Sequence, residues 1–146
     1  MPNENLAGSY YFLLNLGGAE AAGYFKECTG LTSESEVVSH EASDAQGKSV
    51  IQKFPGQLKW SNITLKRGVD SNLDLWKWRE VVVQKGPADA RVDGFIELVD
   101  YVGTPIARWT FIQAWPIKYS GATLNASGNE VAVEEIQICH EGLTRE

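Results

Sequence analysis

The chain has 146 residues, of which 43% are hydrophobic and 22% charged, and its formal net charge is −6. This length is typical of one domain that buries a core without metals or disulfides, so we expect a single domain over residues 1–146. The acidic balance and the lack of a basic run argue against binding nucleic acid. The polar start does not resemble a signal peptide and no apolar run has membrane-spanning length, so we expect a cytoplasmic product that an assembly could carry out of the cell on lysis.

The first half of the chain reads as strands separated by turns. An aromatic-rich strand over residues 9–16 ends at Gly17-Gly18, polar residues dominate 33–39, and strand pattern resumes at 49–54. Ile63, Leu65 and Arg67 share one face of the next strand. Between the second and third of these segments lies a stretch with little to bury, which predicts an exposed loop made of Glu41, Ala42, Ser43, Asp44, Ala45, Gln46 and Gly47.

One helix is predicted between N-cap candidates at residues 70–72 and the stop signal Gly86-Pro87. A helix that packs on one surface needs only one apolar stripe. Two stripes indicate either a second packing surface, such as a neighbouring subunit, or a helix sunk deep in its own core, and the pattern alone favours neither. At 100° per residue the first stripe holds Leu73, Trp76 and Val83, and the second holds Leu75, Trp78 and Val82.

The second half returns to strand pattern. Residues 91–99 alternate, 100–105 are rich in turn residues, and a long strand over 106–115 places Trp109, Phe111 and Trp115 on one face. A final strand over 130–141 mixes apolar and charged residues on both of its faces. Such a strand has no simple inside and outside, which is typical of a subunit boundary.

No set of residues has the pattern of an active site. Neither His40 nor His140 lies in a nucleophile motif, and the spacing of Cys28 and Cys139 matches no zinc site, so the two cysteines read as reduced thiols. Neighbouring acidic residues such as those at 134 and 135 point to opposite faces of a strand. We therefore predict no catalytic residue, no cofactor and no metal.

Seven short motifs are spread over nearly the whole chain. They are FKECTGL at 25–31, FPG at 54–56, ITLKRG at 63–68, LWKW at 75–78, AWP at 114–116, EVAVE at 130–134 and HEGL at 140–143. In this order they resemble the tail tube proteins of contractile phages and of phage-tail-like contractile injection systems. Relatives often carry an Arg-Gly-Gly-type segment before the Phe-Pro-Gly motif, whereas this chain has EASDAQG at 41–47.

The resemblance implies a mainly β fold, a small antiparallel β-barrel or sandwich with one flanking α-helix. It further implies hexameric rings with a continuous inner β-barrel, stacked into a hollow tube inside a contractile sheath. The implied partners are other copies of the chain, the sheath protein, baseplate and spike proteins, and cargo in the lumen. The segment 41–47 is then expected to be a stacking loop, mobile in the free subunit and ordered in the stack. Helix positions Leu73, Trp76, Trp78 and Val82 serve the core or an interface.

The channel is expected to be a passive conduit lined by small polar and acidic side chains, because such a surface holds neither DNA nor protein tightly. The candidates for lumen-facing positions are Ser33, Glu34, Ser35, Glu36, Gln52 and Lys53. Two alternatives remain. One is a ring at the end of the tube, which joins it to the spike or caps it, and the other is a monomeric β-barrel that binds a small ligand through its tryptophans.

Overall fold

A computed structural model of the chain describes residues 10–20, 24–69, 72–121 and 132–146. Antiparallel strands dominate this part of the chain, and the expected mainly β fold with a flanking helix is confirmed. None of the helices in these ranges is long and apolar enough to cross a membrane. The elements are β1 (Tyr11–Leu16), β2 (Ala19–Glu20), β3 (Glu27–Thr29), β4 (Ser33–Ser43), β5 (Ser49–Trp60), β6 (Ile63–Gly68), α1 (Asp74–Lys85), α2 (Pro87–Ala90), β7 (Val92–Val99), β8 (Pro105–Ser120), β9 (Val133–Cys139) and β10 (Gly142–Arg145).

The main sheet closes into a barrel. Its strands follow the order β2-β1-β7-β8-β9-β6-β3, with β10 paired to β8. Phe25, just before β3, exchanges two backbone hydrogen bonds of 2.9 Å with Phe12 of β1, and Lys26 donates to the carbonyl of Lys66 in β6. The two ends of the sheet therefore meet at Phe25. A barrel closed in this way leaves no long unpaired edge on the body of the protein.

Alternation along the strands fills the barrel with apolar side chains. Ile63, Leu65 and Arg67 of β6 point inward, as the pattern predicted. Helix α1 packs against β8, and its Trp78 donates a 2.8 Å hydrogen bond from Nε1 to the carbonyl of Ala90 in α2. The side chains with no exposed surface include Leu14, Phe25, Ile63, Leu65, Ile96, Phe111, Ile136 and Ile138.

A bulge in β8 corrects one prediction from the sequence. Phe111 is fully buried, but further along the same strand Ala114 and Pro116 point inward, so Trp115 does not share the face of Phe111. The shift occurs at Gln113, which has a φ of 52° and donates its backbone N–H to the carboxylate of Asp93 at 2.9 Å. The extra residue reverses the faces. It lets the first half of β8 pair with β7 and β10 and the second half with β9.

The segment predicted as a loop at 41–47 is strand at its first three residues and turn at the other four. Strand β4 runs to Ser43 and β5 begins at Ser49, so only residues 44–48 form the turn. The carboxylate of Asp44 accepts the backbone N–H groups of Gln46 and Lys48 at 2.9 and 2.8 Å, and Gly47 has a φ of 77°. Residues 41–43 belong to the strand because they pair with β5. The sequence does not reveal this pairing, because these residues have few apolar side chains.

The predicted helix boundaries are close to those observed. Residues 70 and 71 lie outside the described part of the chain, but the side-chain oxygen of Asn72 accepts the N–H of Asp74, the first residue of α1. Gly86 ends the helix with a φ of 91° and donates to the carbonyl of Val82. Pro87 then begins the short α2, so a second helical turn follows the single helix that the sequence predicted.

Candidate assembly surfaces

Strands β4 and β5 form a separate two-stranded sheet that is almost entirely exposed. Among the described residues, neither of its outer edges pairs with another strand. A two-stranded hairpin in water is marginally stable by itself, and unpaired edges with exposed apolar side chains favour association. This hairpin is therefore the surface that binding to a partner would stabilise most. Its exposed apolar side chains are Val37 (63%), Val38 (53%), Ile51 (68%), Phe54 (48%) and Leu58 (63%).

The two faces of the hairpin differ in chemistry. Successive side chains alternate between faces, and cross-strand partners share a face. We call one the serine face, because it carries five serines. It also carries Glu41, whose carboxylate accepts a 2.7 Å hydrogen bond from Ser49, and the exposed apolar side chains of Val37, Ile51 and Leu58. The other, the mixed face, carries a 2.7 Å ion pair between Glu36 and Lys59 beside large apolar residues such as Val38 and Phe54. The serines are Ser33, Ser35, Ser39, Ser43 and Ser49.

This alternation divides the candidate lumen-facing residues. All of them are exposed, but Ser33, Ser35 and Lys53 lie on the serine face. The mixed face carries Glu34, Glu36 and Gln52. The sequence prediction treated each polar segment as one surface, and the strand geometry corrects it, because only one of the two sets can line a given channel.

The two apolar stripes of α1 have different surroundings. Leu75 and Trp78 are buried against the barrel and Val82 is half-buried. The other stripe is exposed, with Leu73 at 55%, Trp76 at 47% and Val83 at 70%. The alternative of a helix sunk wholly in its own core is therefore wrong. One stripe belongs to the core, and the other is uncovered in the single chain.

A buried charged network fixes the start of α1 against the barrel. The side chain of Arg67 is 3% exposed, donates from Nε to Glu134 at 2.6 Å, and forms an ion pair with Asp74. Burial would lower the pKa of Arg67, but the hydrogen bonds to Asp74 and Glu134 raise it. Burial and the hydrogen bond donated to Glu134 raise the pKa of Tyr119 to about 12. Because the ring of Tyr119 lies 5.3 Å from that of Trp76, the network also positions the exposed stripe.

The base of the hairpin is held by two contacts. The hydroxyl of Thr32 donates to that of Ser61 at 2.6 Å, and the ring of Trp60 lies 5.9 Å from that of His140. Both ring nitrogens of His140 are buried, and they make no hydrogen bond to the part of the chain that the structure describes. Burial lowers the pKa of His140, and the nearby backbone of Gly142 and Ser61 offsets part of this effect. The imidazole is thus kept neutral where the hairpin leaves the barrel.

The described residues offer little for catalysis. Over the ranges that the structure covers, no group of three or more His, Cys, Asp or Glu could hold a metal ion. Cys28 and Cys139 are free thiols, and burial raises the pKa of Cys28 to about 12 and also raises that of Cys139. A thiol with a raised pKa is a poor nucleophile. The carboxylate of Glu134 is engaged in the network with Arg67.

Sequence reasoning gave the apolar residues of the hairpin no role. It took 32–39 and 49–54 as candidate channel strands because polar residues outnumber apolar ones there, although Val37, Val38, Ile51 and Phe54 lie among them. The adjacent pair Val37-Val38 was the available signal. Two neighbouring valines in a strand must point to opposite faces, so a strand that is polar elsewhere then presents apolar surface on both sides.

Comparisons with known proteins agree with this geometry. A search of curated protein sequences gives no significant match. Among solved structures, the chain is similar to the sheath-tube complex of an extracellular contractile injection system, PVC, in the extended state, with 24% identity and a TM-score of 0.72 over 96% of this chain and 89% of that chain. This likeness shows a common fold.

Two further structures are slightly more similar in sequence. One is the PVC sheath/tube terminator in the extended state, with 26% identity and a TM-score of 0.71 over 92% of each chain. The other is the anti-feeding prophage cap, a tube terminating cap, with 25% identity and a TM-score of 0.70 over 92% of this chain and 87% of that chain. The family model for the T4-like virus tail tube protein gp19 matches residues 8–144, nearly the whole of the sequence. The chain therefore belongs to the T4-like virus tail tube protein gp19 family.

Proposed function

We propose that this tube protein forms hexameric rings that stack into the hollow inner tube of a contractile tail or injection system. The observation that carries the proposal is the β4–β5 hairpin, which has two unpaired edges and apolar side chains on both faces. In a ring, the β4 edge of one copy pairs with the β5 edge of the next. Repeated around a rotation axis, this head-to-tail contact closes and leaves no free edge.

The serine face lines the lumen in this proposal. It presents serine hydroxyls and the charges of Glu41 and Lys53 to passing cargo, beside the exposed apolar side chains of Val37, Ile51 and Leu58. The mixed face, with Val38 and Phe54, packs outward on the bodies of the subunits. Of the six candidates, Ser33, Ser35 and Lys53 then face the channel, whereas Glu34, Glu36 and Gln52 do not. The tube acts as a conduit and contributes no chemistry of its own.

The exposed stripe of α1 is the second contact within the ring. Leu73, Trp76 and Val83 lie on the side of α1 that faces away from its own core, so a neighbouring subunit can cover them without disturbing the barrel. Outside the ring, the sheath protein and the baseplate and spike proteins complete the set of proposed partners.

The hairpin proposal is tested by removing the hairpin. Because Ser35 pairs with Leu58, replacing residues 36–57 by Asn-Gly leaves a short closed turn on an intact barrel. We expect the variant to be folded and monomeric by analytical ultracentrifugation, while the full chain forms rings or tubes in electron micrographs. A full chain that stays monomeric at high concentration, and forms no tubes with sheath and baseplate present, would overturn the proposal.

The orientation of the hairpin has a separate test. Ser39→Cys and His40→Cys are neighbours on β4 whose side chains point to opposite faces. Both should react with a small maleimide in the free subunit. In assembled tubes only Ser39→Cys should react, and not with a maleimide on a polymer too large to enter the bore. The unmodified chain, with Cys28 and Cys139, gives the background. Labelling of His40→Cys alone would reverse the assignment of the two faces.

A tube-end ring is the second candidate. It is favoured by the likeness to the terminator and the cap described above, which resemble this chain in sequence as closely as the tube does. A tube-body subunit stacks on both sides of its ring, whereas a terminator stacks on one side only. Electron micrographs of the purified protein separate the two, because the first gives long tubes and the second gives single rings or pairs of rings.

A further inference from the structure

A tyrosine-lined pocket opens at the end of the barrel where β7 turns into β8. Its volume is about 350 Å³. The rings of Tyr11 and Tyr24 lie 5.2 Å apart at an angle of 42°, and Tyr24 and Tyr101 are 54% and 45% exposed. We call this site the tyrosine pocket. Its lining consists of Tyr11, Tyr24, Asp100, Tyr101, Val102 and Gly103.

The floor of the tyrosine pocket is a rigid turn. One carboxylate oxygen of Asp100 accepts the backbone N–H groups of Val102 and Thr104, at 3.1 and 2.8 Å. The backbone of Asp100 also bonds with Thr104 and with Gly103, which has a φ of 91°. These hydrogen bonds fix the conformation of the turn in the single subunit. They also fix the position of the negatively charged carboxylate.

Aromatic faces beside a carboxylate suit a cation. A lysine or arginine side chain is attracted by the faces of tyrosine rings, and the carboxylate of Asp100 adds a charge–charge interaction. Tyrosines with an apolar ring and a polar tip are also enriched at protein interfaces. The pocket is large enough for the end of one long side chain with its flanking residues, so the chemistry indicates a basic residue at the tip of a protruding segment.

We propose that the tyrosine pocket receives Lys48 from the hairpin turn of a second copy of the chain, in the adjoining ring of the stack. Lys48 is exposed at the tip of the β4–β5 hairpin, where Asp44 fixes its backbone, and within the described ranges its ammonium group forms no ion pair. This inference rests on the proposed function, since it requires stacked rings.

The positions of the two features suit a contact between rings. The base of the hairpin adjoins the middle of β8, where Trp115 pairs with Cys139, next to His140. The tyrosine pocket lies at the start of β8, one half-strand away, which is about 30 Å at ~3.3 Å per residue. The tip and the pocket are therefore separate features of one subunit, so the tip of one copy can meet the pocket of another, and repetition of this contact gives a directional stack.

An attractive charge pair at this contact offsets part of the repulsion between stacked rings. Each subunit carries a formal charge of −6, so two rings brought together repel each other. Lys48 against Asp100 places an attractive pair at the contact. Because salt screens such pairs, stacking should weaken at high ionic strength, while the ring, closed by backbone pairing, should persist.

Zero-length cross-linking tests the contact directly. A carbodiimide joins an amine to a carboxylate only when the two touch, so assembled tubes should yield a Lys48–Asp100 cross-linked peptide by mass spectrometry. Lys48→Gln and Asp100→Asn should each abolish it, and the asparagine keeps an oxygen for the turn. Coupling of Lys48 to another carboxylate in its place, or coupling of Asp100 to a lysine of the sheath protein, would overturn the proposal.

Tube formation gives the second readout. Lys48→Gln should leave rings intact but reduce the amount of tube at least tenfold, and Lys48→Arg should restore it. Lys53→Gln on the same hairpin is the matched control and should stack normally. Tubes of normal length from Lys48→Gln would overturn the inference while leaving the proposed function in place. Absence of rings from the unmodified chain would instead remove the proposed function itself.

Discussion

Arg67 shows what a single buried charge does in this fold. The alternation of β6 predicts that Arg67 shares a face with Ile63 and Leu65, and in the structure that face points inward. The sequence could not predict its partners, because Glu134 lies 67 positions away in the chain and reaches Arg67 only after β6 and β9 pair. A buried guanidinium is tolerable here because two carboxylates surround it.

Removing the guanidinium should strongly destabilise the protein. Arg67→Met leaves Glu134 buried without its partner, and breaking a buried ion pair in this way costs about 3–5 kcal/mol. The free energy of unfolding, measured with urea, should fall by that amount. Lys66→Met on the opposite face of the same strand, where the lysine is 39% exposed, should change it by less than about 1 kcal/mol. Equal losses in the two variants would contradict this account of the network.

Gln113 stores strain at the bulge of β8. Its φ of 52° lies in the left-handed region, which costs a residue with a side chain roughly 1 kcal/mol relative to glycine. Gln113→Gly should therefore be about 1 kcal/mol more stable than Gln113→Ala in thermal or urea unfolding. The comparison of the two variants cancels the loss of the glutamine side chain. An alanine variant as stable as the glycine variant would show that the bulge relaxes.

At the scale of elements, α1 was predicted better than the hairpin. Helix spacing separates the two stripes in the sequence itself, so their existence could be predicted, although which stripe meets the core could not. The turn at 44–48 was predicted too wide, because the strands around it are fixed by each other and by the carboxylate of Asp44 rather than by buried side chains. Pairing between exposed strands leaves little trace in a hydrophobic pattern.

Substitutions at the two tryptophans of α1 should have different effects, one on stability and the other on assembly. Trp78 is 9% exposed and bonded to Ala90, so Trp78→Ala should cost about 3–5 kcal/mol of stability. Trp76 is 47% exposed, so Trp76→Ala should keep most of the stability, yet impair ring formation. Thermal melts and sedimentation of the same samples measure both effects. A Trp76→Ala variant that melts as low as Trp78→Ala would contradict the division between the stripes.

At the scale of the whole molecule, acid should weaken the protein through His140. Its folded pKa is lowered from 6.5, so the unfolded chain binds the proton more readily. The stabilising contribution is therefore complete above about pH 6.5 and is lost as the pH falls through the lowered pKa. His140→Leu should reduce the slope of unfolding free energy against pH between about pH 7 and 5. A His140→Leu variant with the same slope as the unmodified chain would contradict this account.

The closure of the barrel could not be predicted from the sequence. It depends on the two-residue contact between Phe12 and Phe25, which belong to segments with no shared pattern. The mixed faces of the strands did predict an assembly, because a strand that serves a neighbour cannot be apolar on one side only. The sequence analysis assigned this partner-facing surface partly to the wrong strand. The final strand buries Ile136 and Ile138 in the core, and the hairpin carries the exposed surface.

The closure at Phe25 has a consequence for how such a protein can change. The described strands of the barrel pair with one another and not with the hairpin, so substitutions between residues 36 and 57 leave the pairing of the barrel strands unchanged. Selection for stability and selection for partner choice then act on different stretches of one gene. New incompatibilities between tubes can arise by drift in the hairpin alone, and exchange of this segment between two homologues should carry recognition of self from one lineage to the other.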